Sequence, residues 1–317
     1  MTRHVAIVGA TASGKSSLSL ALAAALGDAE IVSLDSMQVY REMDIGTAKP
    51  SPAERALVPH HLVDVADPAD EWSVRASQDA ALAALADIEA RGLRAVLVGG
   101  TGLYVRAVVD GLRVPATDPT VRAALEAEVA SPAGLAAAYA RLRDLDPVAA
   151  SRIEPGNGRR IARALEVIEL TGEPFSSFGP GLSDYDRPAV DVTLVGVEPP
   201  ADLSRRIFER FFAMLDAGLV DEVRALAARP AGLSRTARQA IGYHELLAHV
   251  AGEESLDESV AAAIRRTNRF ARRQWRWFRR DPRITWIAPA ENPGDQVSTV
   301  LARWQQPTTL SPASPTL

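Results

Sequence analysis

The sequence has no cysteine among its 317 residues. Disulfide bonds and thiolate-ligated metal sites are therefore excluded, and the composition is typical of a protein from a reducing compartment. No apolar run approaches the length of a membrane span, and the first apolar segment begins too close to Met1 to leave room for a signal peptide. We therefore expect a cytoplasmic protein that has no membrane partner.

Lysine is almost as scarce as cysteine. Of the 35 basic residues, 33 are Arg and only Lys15 and Lys49 are Lys. In a chain with this preference, a Lys indicates a position where a compact ammonium group fits and a planar guanidinium does not. Lys15 lies in a glycine-rich loop. Lys49 is either a second position of this kind or an ordinary surface residue.

The loop around Lys15 fits the pattern G-x-x-x-x-G-K-[ST]. It follows the apolar run 5–8 and precedes an Ala/Leu-rich stretch that reads as a helix, which is the context the pattern requires. Backbone N–H groups and a helix N-terminus can then bind phosphate, with Lys15 at the outer oxygens and the Ser16 hydroxyl at a bound Mg²⁺. The alternative is a strand-to-helix turn without a ligand. The predicted phosphate loop comprises Gly9, Ala10, Thr11, Ala12, Ser13, Gly14, Lys15 and Ser16.

Two further polar residues follow buried strands. Asp35 comes after the run 30–34, and Thr101 follows the run 94–98 within a second glycine-rich turn. Because ligands of open α/β sheets collect beyond the carboxyl ends of the strands, both residues should face the same crevice as the phosphate loop. Asp35 is either a general base or a cap or metal-associated carboxylate. Thr101 either binds a phosphate oxygen or caps the next helix.

These segments predict an α/β fold with a P-loop NTPase/kinase-like parallel sheet core and an all-helical insertion domain. The core comprises residues 1–117 and 184–290, including basic helices near its C-terminal end, and a fourth strand at 191–197. Ala/Leu/Arg-rich helices replace strands in the insertion, residues 118–183. Residues 305–317 are predicted to be a disordered tail. We expect a monomer.

The net charge of −5 conceals a strongly basic segment. Residues 264–283 contain nine Arg and one Asp, a local charge of +8. At helical spacing Arg265, Arg269, Arg272 and Arg276 share one face, which can meet the phosphates of a nucleic acid.

Several motifs together, in their order and spacing, resemble the bacterial tRNA dimethylallyltransferases, from the first strand to about Trp286. The resemblance is carried by the phosphate loop, DSMQVY (35–40), MDIGTAKP (43–50), PHH (59–61), VGGTGLY (98–104), RALEV (163–167) and RRQ (272–274). It implies transfer of a dimethylallyl group from dimethylallyl diphosphate to the exocyclic amine of the adenine 3′ to the anticodon of tRNA, with release of pyrophosphate. In such enzymes the phosphate loop binds the diphosphate of the donor, with Mg²⁺ as cofactor.

The resemblance also implies roles for individual residues. Asp35 matches the general base, while Lys15, Thr101 and Arg210 would act on the diphosphate. The target adenine would be flipped out of the anticodon loop into a channel. The residues expected to contact the tRNA anticodon stem-loop are Asp35, Ser36, Met37, Gln38, Thr101, Arg122, Arg159, Arg160, Arg163, Arg238, Gln239 and Gly242.

Three other functions use part of the same sequence. A P-loop kinase of a nucleoside or small molecule would bind ATP at the loop, but it leaves the basic segment unexplained. A prenyltransferase of free adenine nucleotides would share the donor chemistry and Asp35. A non-catalytic RNA-binding or nucleotide-switch protein would need the basic segment but not Asp35 and Thr101 at strand ends.

Overall fold

The computed structural model describes residues 2–178, 185 and 188–305, with only the backbone of Gln305. Most of the predicted tail therefore lies outside the described residues. The described residues divide into two compact units. The first is formed by those of Met1–Asp110 and Arg187–Leu317, and the second by those of Gly111–Asp186.

The first unit is built on a six-stranded sheet in which every neighbouring pair is parallel. The strand order is β3-β2-β4-β1-β5-β6, so the strand that leads into the phosphate loop is central. The strands are β1 (His4–Gly9), β2 (Ala29–Ser33), β3 (His60–His61), β4 (Arg94–Gly99), β5 (Val192–Val197) and β6 (Thr285–Ile287). This arrangement confirms the predicted parallel α/β core.

Alternation along the strands places a hydrophobic core on each side of this sheet. Ala6 and Val8 of β1 pack into one cluster, and Val5 and Ile7 pack into the other. Because successive side chains of a strand point to opposite faces, β1 has to be apolar throughout to be buried on both. Strands β3 and β6 were not predicted from the sequence. They have two and three residues, which is too short to show a pattern.

Helices cover both faces of the sheet. They are α1 (Lys15–Leu26), α2 (Pro52–Leu57), α3 (Val74–Ala90), α4 (Gly102–Val109), α9 (Leu203–Asp216), α10 (Leu219–Ala227), α11 (Arg235–Arg238), α12 (Tyr243–Val250), α13 (Leu256–Phe278) and α14 (Gly294–Gln305). The basic segment falls mainly in α13, which begins with a capping box formed by Ser255 and Glu258. Within the described residues, no helix is long and apolar enough to cross a membrane.

Among its described residues, all the regular secondary structure of the second unit is helical. Its elements are α5 (Pro119–Glu128), α6 (Pro132–Leu145), α7 (Pro147–Arg152), α8 (Gly158–Thr171) and a 3₁₀ turn at Phe175–Phe178. Ser131, Asp146 and Asn157 cap three of these helices by accepting from backbone N–H groups. An apolar core of its own, which includes Leu142 and Ile161, holds the helices together.

Candidate active site

The phosphate loop connects β1 to α1 as its sequence predicts. Gly14, at the N-cap of α1, has φ 93°, in the left-handed region that glycine tolerates best. Ala12 has φ 62°, which is uncommon for a residue with a Cβ and marks local strain. A Cβ on Gly9 would lie 2.9 Å from both the Ser13 hydroxyl and the Val197 carbonyl oxygen. The loop is therefore tightly curled over the carboxyl end of the central strands.

Two cations and one carboxylate meet beside this loop. Burial lowers the pKa of Lys15 to about 8, the Asp35 carboxylate opposes this, and the Arg210 guanidinium adds to it. Burial also lowers the pKa of Arg210, again opposed by Asp35. Two partly buried cations with one carboxylate leave an excess of positive charge, which a bound anion would neutralise.

The pKa of Lys15 leads to a testable pH dependence. Only the charged ammonium attracts an anion, so affinity for pyrophosphate should be highest below pH 7 and fall as pH rises through about 8 and the proton is lost. Between pH 7 and pH 9 the charged fraction drops from about 0.9 to about 0.1, and affinity should fall by up to roughly tenfold. Calorimetric titration with pyrophosphate at several pH values measures this.

A Lys15→Met variant is the matched control for that titration, since a thioether carries no charge at any pH in the range, whereas a guanidinium would not fit the position. Pyrophosphate has its own ionisation, which affects both proteins equally, so the ratio of their affinities isolates Lys15. A ratio that stays constant from pH 7 to pH 9 would contradict the assignment.

A cavity of about 290 Å³ opens next to the loop. Its polar lining residues include Thr11, Asp35, Ser36, Thr47, Thr101, Arg210, Gln239, Arg266, Thr267 and Arg273. Its apolar lining residues include Met37, Ile207, Phe211, Met214, Leu219, Ala240, Ile241 and Phe270. A pocket of this size, with apolar walls and a few converging polar groups, suits a small ligand that has an apolar part and an anionic part.

Asp35 uses its two carboxylate oxygens differently. Oδ1 accepts hydrogen bonds from the backbone N–H groups of Met37 (2.8 Å) and Gln38 (3.3 Å). Oδ2 has no hydrogen-bond partner among the described residues. The cap interpretation and the base interpretation of Asp35 are thus compatible, because one oxygen fixes the side chain and the other is left to take a proton.

Thr101 occupies the N-cap position of α4, yet its hydroxyl makes no capping hydrogen bond. Thr101 lines the cavity instead. Arg210 lies opposite on α9 and donates to the Thr11 hydroxyl at 2.8 Å. Thr101 and Arg210 therefore line the same cavity from two different helices. Side chains that bind one diphosphate have to converge in this way.

Lys49 is buried and lies outside the cavity lining. Its side chain is 2% exposed, and its ammonium donates to the Tyr40 carbonyl (2.7 Å) and to the carboxylates of Asp44 (2.5 Å) and Asp64 (2.6 Å). Three acceptors around one nitrogen suit an ammonium and not a planar guanidinium. The interpretation of Lys49 as an ordinary surface residue is therefore wrong.

Gln38 lies within the chain segment that leads from Asp35 to Lys49, and it does not line the cavity. Its amide nitrogen donates to the carbonyls of Thr47 (3.2 Å) and Ala48 (3.1 Å), and its amide oxygen accepts from the Ser33 hydroxyl (2.9 Å). With the amide used in this way, Gln38 holds the chain segment that follows Asp35. Its tRNA contact stays a prediction.

Glu222 and Tyr243 were not singled out from the sequence. Glu222 accepts hydrogen bonds from three successive backbone N–H groups, those of residues 44, 45 and 46, at 2.8 to 3.2 Å. The Tyr243 hydroxyl also donates to it, at 2.5 Å, and the ring lies so close to Gly46 that a Cβ there would overlap it. Neither residue belongs to a local motif, so only the fold reveals that they fix one wall of the cavity.

Two of the predicted tRNA contacts in the second unit share a buried carboxylate. Glu166 is fully buried and accepts hydrogen bonds from Arg122 (Nε, 2.9 Å) and Arg163 (2.6 Å). Burial alone would raise the pKa of Glu166, but hydrogen bonds from Thr117, Arg163 and Arg122 lower it below its usual value. Arg159 and Arg160 are exposed on the same helix. Glu166 thus holds two guanidiniums in place, and two further arginines are exposed on the same helix.

The predicted arginine face of α13 is exposed. Within the described residues, none of its four arginines (265, 269, 272 and 276) has a carboxylate within 4.0 Å. The cavity meets α13 at Arg266, Thr267, Phe270 and Arg273. Arg266, Phe270 and Arg273 each follow a residue of the arginine face by one position, or about 100° around the helix, and Thr267 comes one position after Arg266. The cavity and the exposed arginines therefore lie on adjacent sides of α13.

The Ser16 hydroxyl fits the predicted metal role. It is exposed at the start of α1 and has no hydrogen-bond partner among the described residues. No group of three or more His, Asp or Glu side chains able to hold a metal occurs among those residues. Mg²⁺ is commonly bound by one or two protein ligands together with substrate phosphates. Ser16 with a bound diphosphate is a donor set of that type.

The remaining predicted site residues divide between cavity and surface. Gln239 and Gly242 line the cavity with Asp35, Ser36, Met37, Thr101 and Arg210. Arg238 is exposed and lies outside the lining.

Comparison with protein families matches residues 38–281 to the IPP transferase family and residues 2–59 to the isopentenyl transferase family. The chain is 54% identical over 287 residues to the tRNA dimethylallyltransferase of Salinispora arenicola, covering 90% of this chain and 82% of that one. It is 51% identical over 287 residues to the tRNA dimethylallyltransferase of Streptomyces coelicolor, covering 90% of each.

A solved structure shares the fold. The full-length tRNA isopentenylpyrophosphate transferase of Bacillus halodurans superposes with a TM-score of 0.69 at 37% sequence identity. The superposition covers 96% of this chain and 97% of the other.

Proposed function

Since the chain belongs to the IPP transferase family of tRNA dimethylallyltransferases, we propose that its cavity joins dimethylallyl diphosphate to the exocyclic amine of the adenine 3′ to the tRNA anticodon. The chain is a prenyltransferase that modifies tRNA. The observation that best supports the proposed chemistry is the position of Asp35. Asp35 lines a cavity that also has Thr11 of the phosphate loop, Arg210 and apolar residues in its lining, and its Oδ2 has no hydrogen-bond partner among the described residues.

The reaction forms one bond and breaks another at the same carbon. The amine nitrogen attacks the allylic carbon of the donor, the bond from that carbon to the diphosphate oxygen breaks, and pyrophosphate leaves with the electron pair. The attacking amine loses a proton, which the Oδ2 atom of Asp35 accepts. Asp35 remains oriented meanwhile, because Oδ1 keeps its two backbone hydrogen bonds.

Charge on the departing pyrophosphate has to be stabilised as it develops. The phosphate-loop N–H groups, the Lys15 ammonium and the Arg210 guanidinium provide fixed positive charge, and the Thr101 hydroxyl provides a donor. Bound Mg²⁺, held through Ser16, would neutralise part of the diphosphate charge. Met37, Phe211, Met214 and other apolar lining residues would surround the prenyl chain and exclude water from the reacting carbon.

One assay tests this function directly. The protein is incubated with labelled dimethylallyl diphosphate, Mg²⁺ and either an unmodified tRNA or the same tRNA with guanine in place of the target adenine. Label should enter only the first. Parallel reactions with AMP as acceptor and with ATP distinguish the free-nucleotide prenyltransferase and the kinase. ATP hydrolysis without transfer of label to tRNA would overturn the proposal.

The arginine face of α13 gives a further prediction. If Arg265, Arg269, Arg272 and Arg276 bind tRNA phosphates, each Arg→Ala change should weaken binding of all substrate tRNAs similarly. The slope of log affinity against log salt should flatten by a little under one unit, about 0.7 to 0.9, for each phosphate that is no longer neutralised. Filter binding between low and moderate salt measures both quantities.

Arg205→Ala is the matched control, since Arg205 is an exposed arginine of the same unit that is paired with Asp202 and Glu209 on its own helix. Its removal should leave the salt slope unchanged. If the α13 variants also keep the wild-type slope, their arginines do not contact RNA.

A further inference from the structure

Gln274, on α13, connects the two glycine-rich loops through one side-chain amide. The side chain is buried, its Oε1 accepts the Thr11 N–H at 2.8 Å, and its Nε2 donates to the Gly100 carbonyl at 2.9 Å. The partners fix the orientation of the amide, because an N–H can only donate and a carbonyl can only accept. One residue thus bridges the loop after β1 and the loop after β4.

The packing around Gln274 leaves no room for adjustment. A Cβ on Gly100 would lie 2.5 Å from Gln274 Nε2, and a Cβ on Gly102 would overlap the Trp277 indole of the same helix. Helix α13 therefore lies in direct contact with the second glycine-rich loop. Glycine at positions 100 and 102 thus allows α13 to approach the loop closely, quite apart from any role in binding a ligand.

The Thr11 N–H is engaged by Gln274 and the Thr11 hydroxyl by Arg210. Thr11 is thereby held from two helices, α13 and α9, at the outer bend of the phosphate loop. The amide of Gln274 links Thr11 directly to Gly100, the residue that precedes Thr101. A diphosphate bound between them needs that separation to be correct to a fraction of an ångström.

We propose that Gln274 is a positioning residue that fixes the spacing of the two loops for the donor diphosphate. This inference rests on the proposed function, because it assumes that a diphosphate occupies the site. Gln274 acts through Thr11 and Gly100, and it is not assigned any contact with the reacting atoms.

The first test uses Gln274→Met, which keeps the length of the side chain but cannot form either hydrogen bond. Pyrophosphate with Mg²⁺ is the probe, and calorimetry gives its affinity. We expect a loss of about tenfold, corresponding to roughly 1.4 kcal/mol. The KM for the prenyl donor should rise and kcat should fall, while the KM for tRNA stays within about threefold of wild type.

Asn268→Ala is the matched control on the same helix, since Asn268 contacts Ser204 of α9 and neither loop. It should leave pyrophosphate affinity unchanged. A Gln274→Met protein that binds pyrophosphate as the wild type does would overturn the inference and leave the proposed function standing. A wild-type protein that does not bind pyrophosphate would overturn both.

The second test distinguishes positioning from general stabilisation. Gly100→Ala should weaken pyrophosphate binding in the wild-type background, because its Cβ is forced against Gln274. In a Gln274→Ala background that crowding is absent, and the remaining neighbours of the Cβ, at 3.3 Å or more, are less severe. The same Gly100→Ala change should then cost severalfold less affinity. Equal costs in both backgrounds would overturn the inference.

Discussion

Replacing Asp35 with Asn should reduce turnover by about two to four orders of magnitude, the range expected for loss of a general base. The amide oxygen of Asn can still accept from the N–H groups of Met37 and Gln38, so the local fold should persist. The amide cannot take the proton that the attacking amine releases. Single-turnover assays with saturating tRNA and donor measure the effect, and tRNA affinity should stay within a few-fold of wild type.

Asp216→Asn provides the control for that experiment. Asp216 is an exposed carboxylate on α9, outside the cavity lining, and its neutralisation should leave turnover unchanged. Turnover of the Asp35→Asn protein within about tenfold of wild type would show that Asp35 only shapes the loop, since general-base loss costs more.

Replacing Lys49 with Met should lower the free energy of unfolding by about 1 to 3 kcal/mol, because the change leaves two carboxylates and a carbonyl without their shared cation, while solvent screens the charge of Asp44, whose side chain is 60% exposed. Asp64 also pairs with Arg55, so its charge stays partly compensated when Lys49 is removed. Non-glycine residues with positive φ cluster here, at Glu42, Ala48 and Asp64. Such strain persists only while the surrounding contacts hold it.

Urea denaturation of the full chain measures the loss in free energy of unfolding. Two further variants test its cause. Lys49→Arg keeps the charge but should still destabilise, because a planar guanidinium cannot place one nitrogen among three acceptors. A Lys49→Met, Asp64→Asn double variant should be more stable than the sum of the single changes implies, since it removes a carboxylate that has lost one of its two cations. Unchanged midpoints in all three proteins would contradict a structural role for Lys49.

The sequence was sufficient for the parts of the site that follow a strand directly. The phosphate loop, Asp35 and Thr101 each occupy the carboxyl end of a β-strand, and that position alone predicts that they meet. The family, the reaction class and the α/β core were predicted from motifs and are confirmed.

Residues that act across long sequence separations could not be found in this way. Glu222 reaches the turn at residues 44–46, and Gln274 reaches Thr11 and Gly100, although no local spacing relates them. The scarcity of lysine did point to Lys49, but only the structure distinguishes its buried cluster from a phosphate site. For the same reason, the engagement of Gln38 within its own loop is visible only once the loop is folded.

The place of β1 in the sheet has a consequence for synthesis on the ribosome. This strand is made first, yet it lies between β4 and β5, and His4 pairs with Val192 of β5. Until nearly two-thirds of the chain has been translated, one edge of the central strand has no neighbour and its backbone groups can pair wrongly with other strands. The helical second unit is completed within that interval. We therefore expect nascent chains that stall before β5 to aggregate, and chains that stall after it to become resistant to protease.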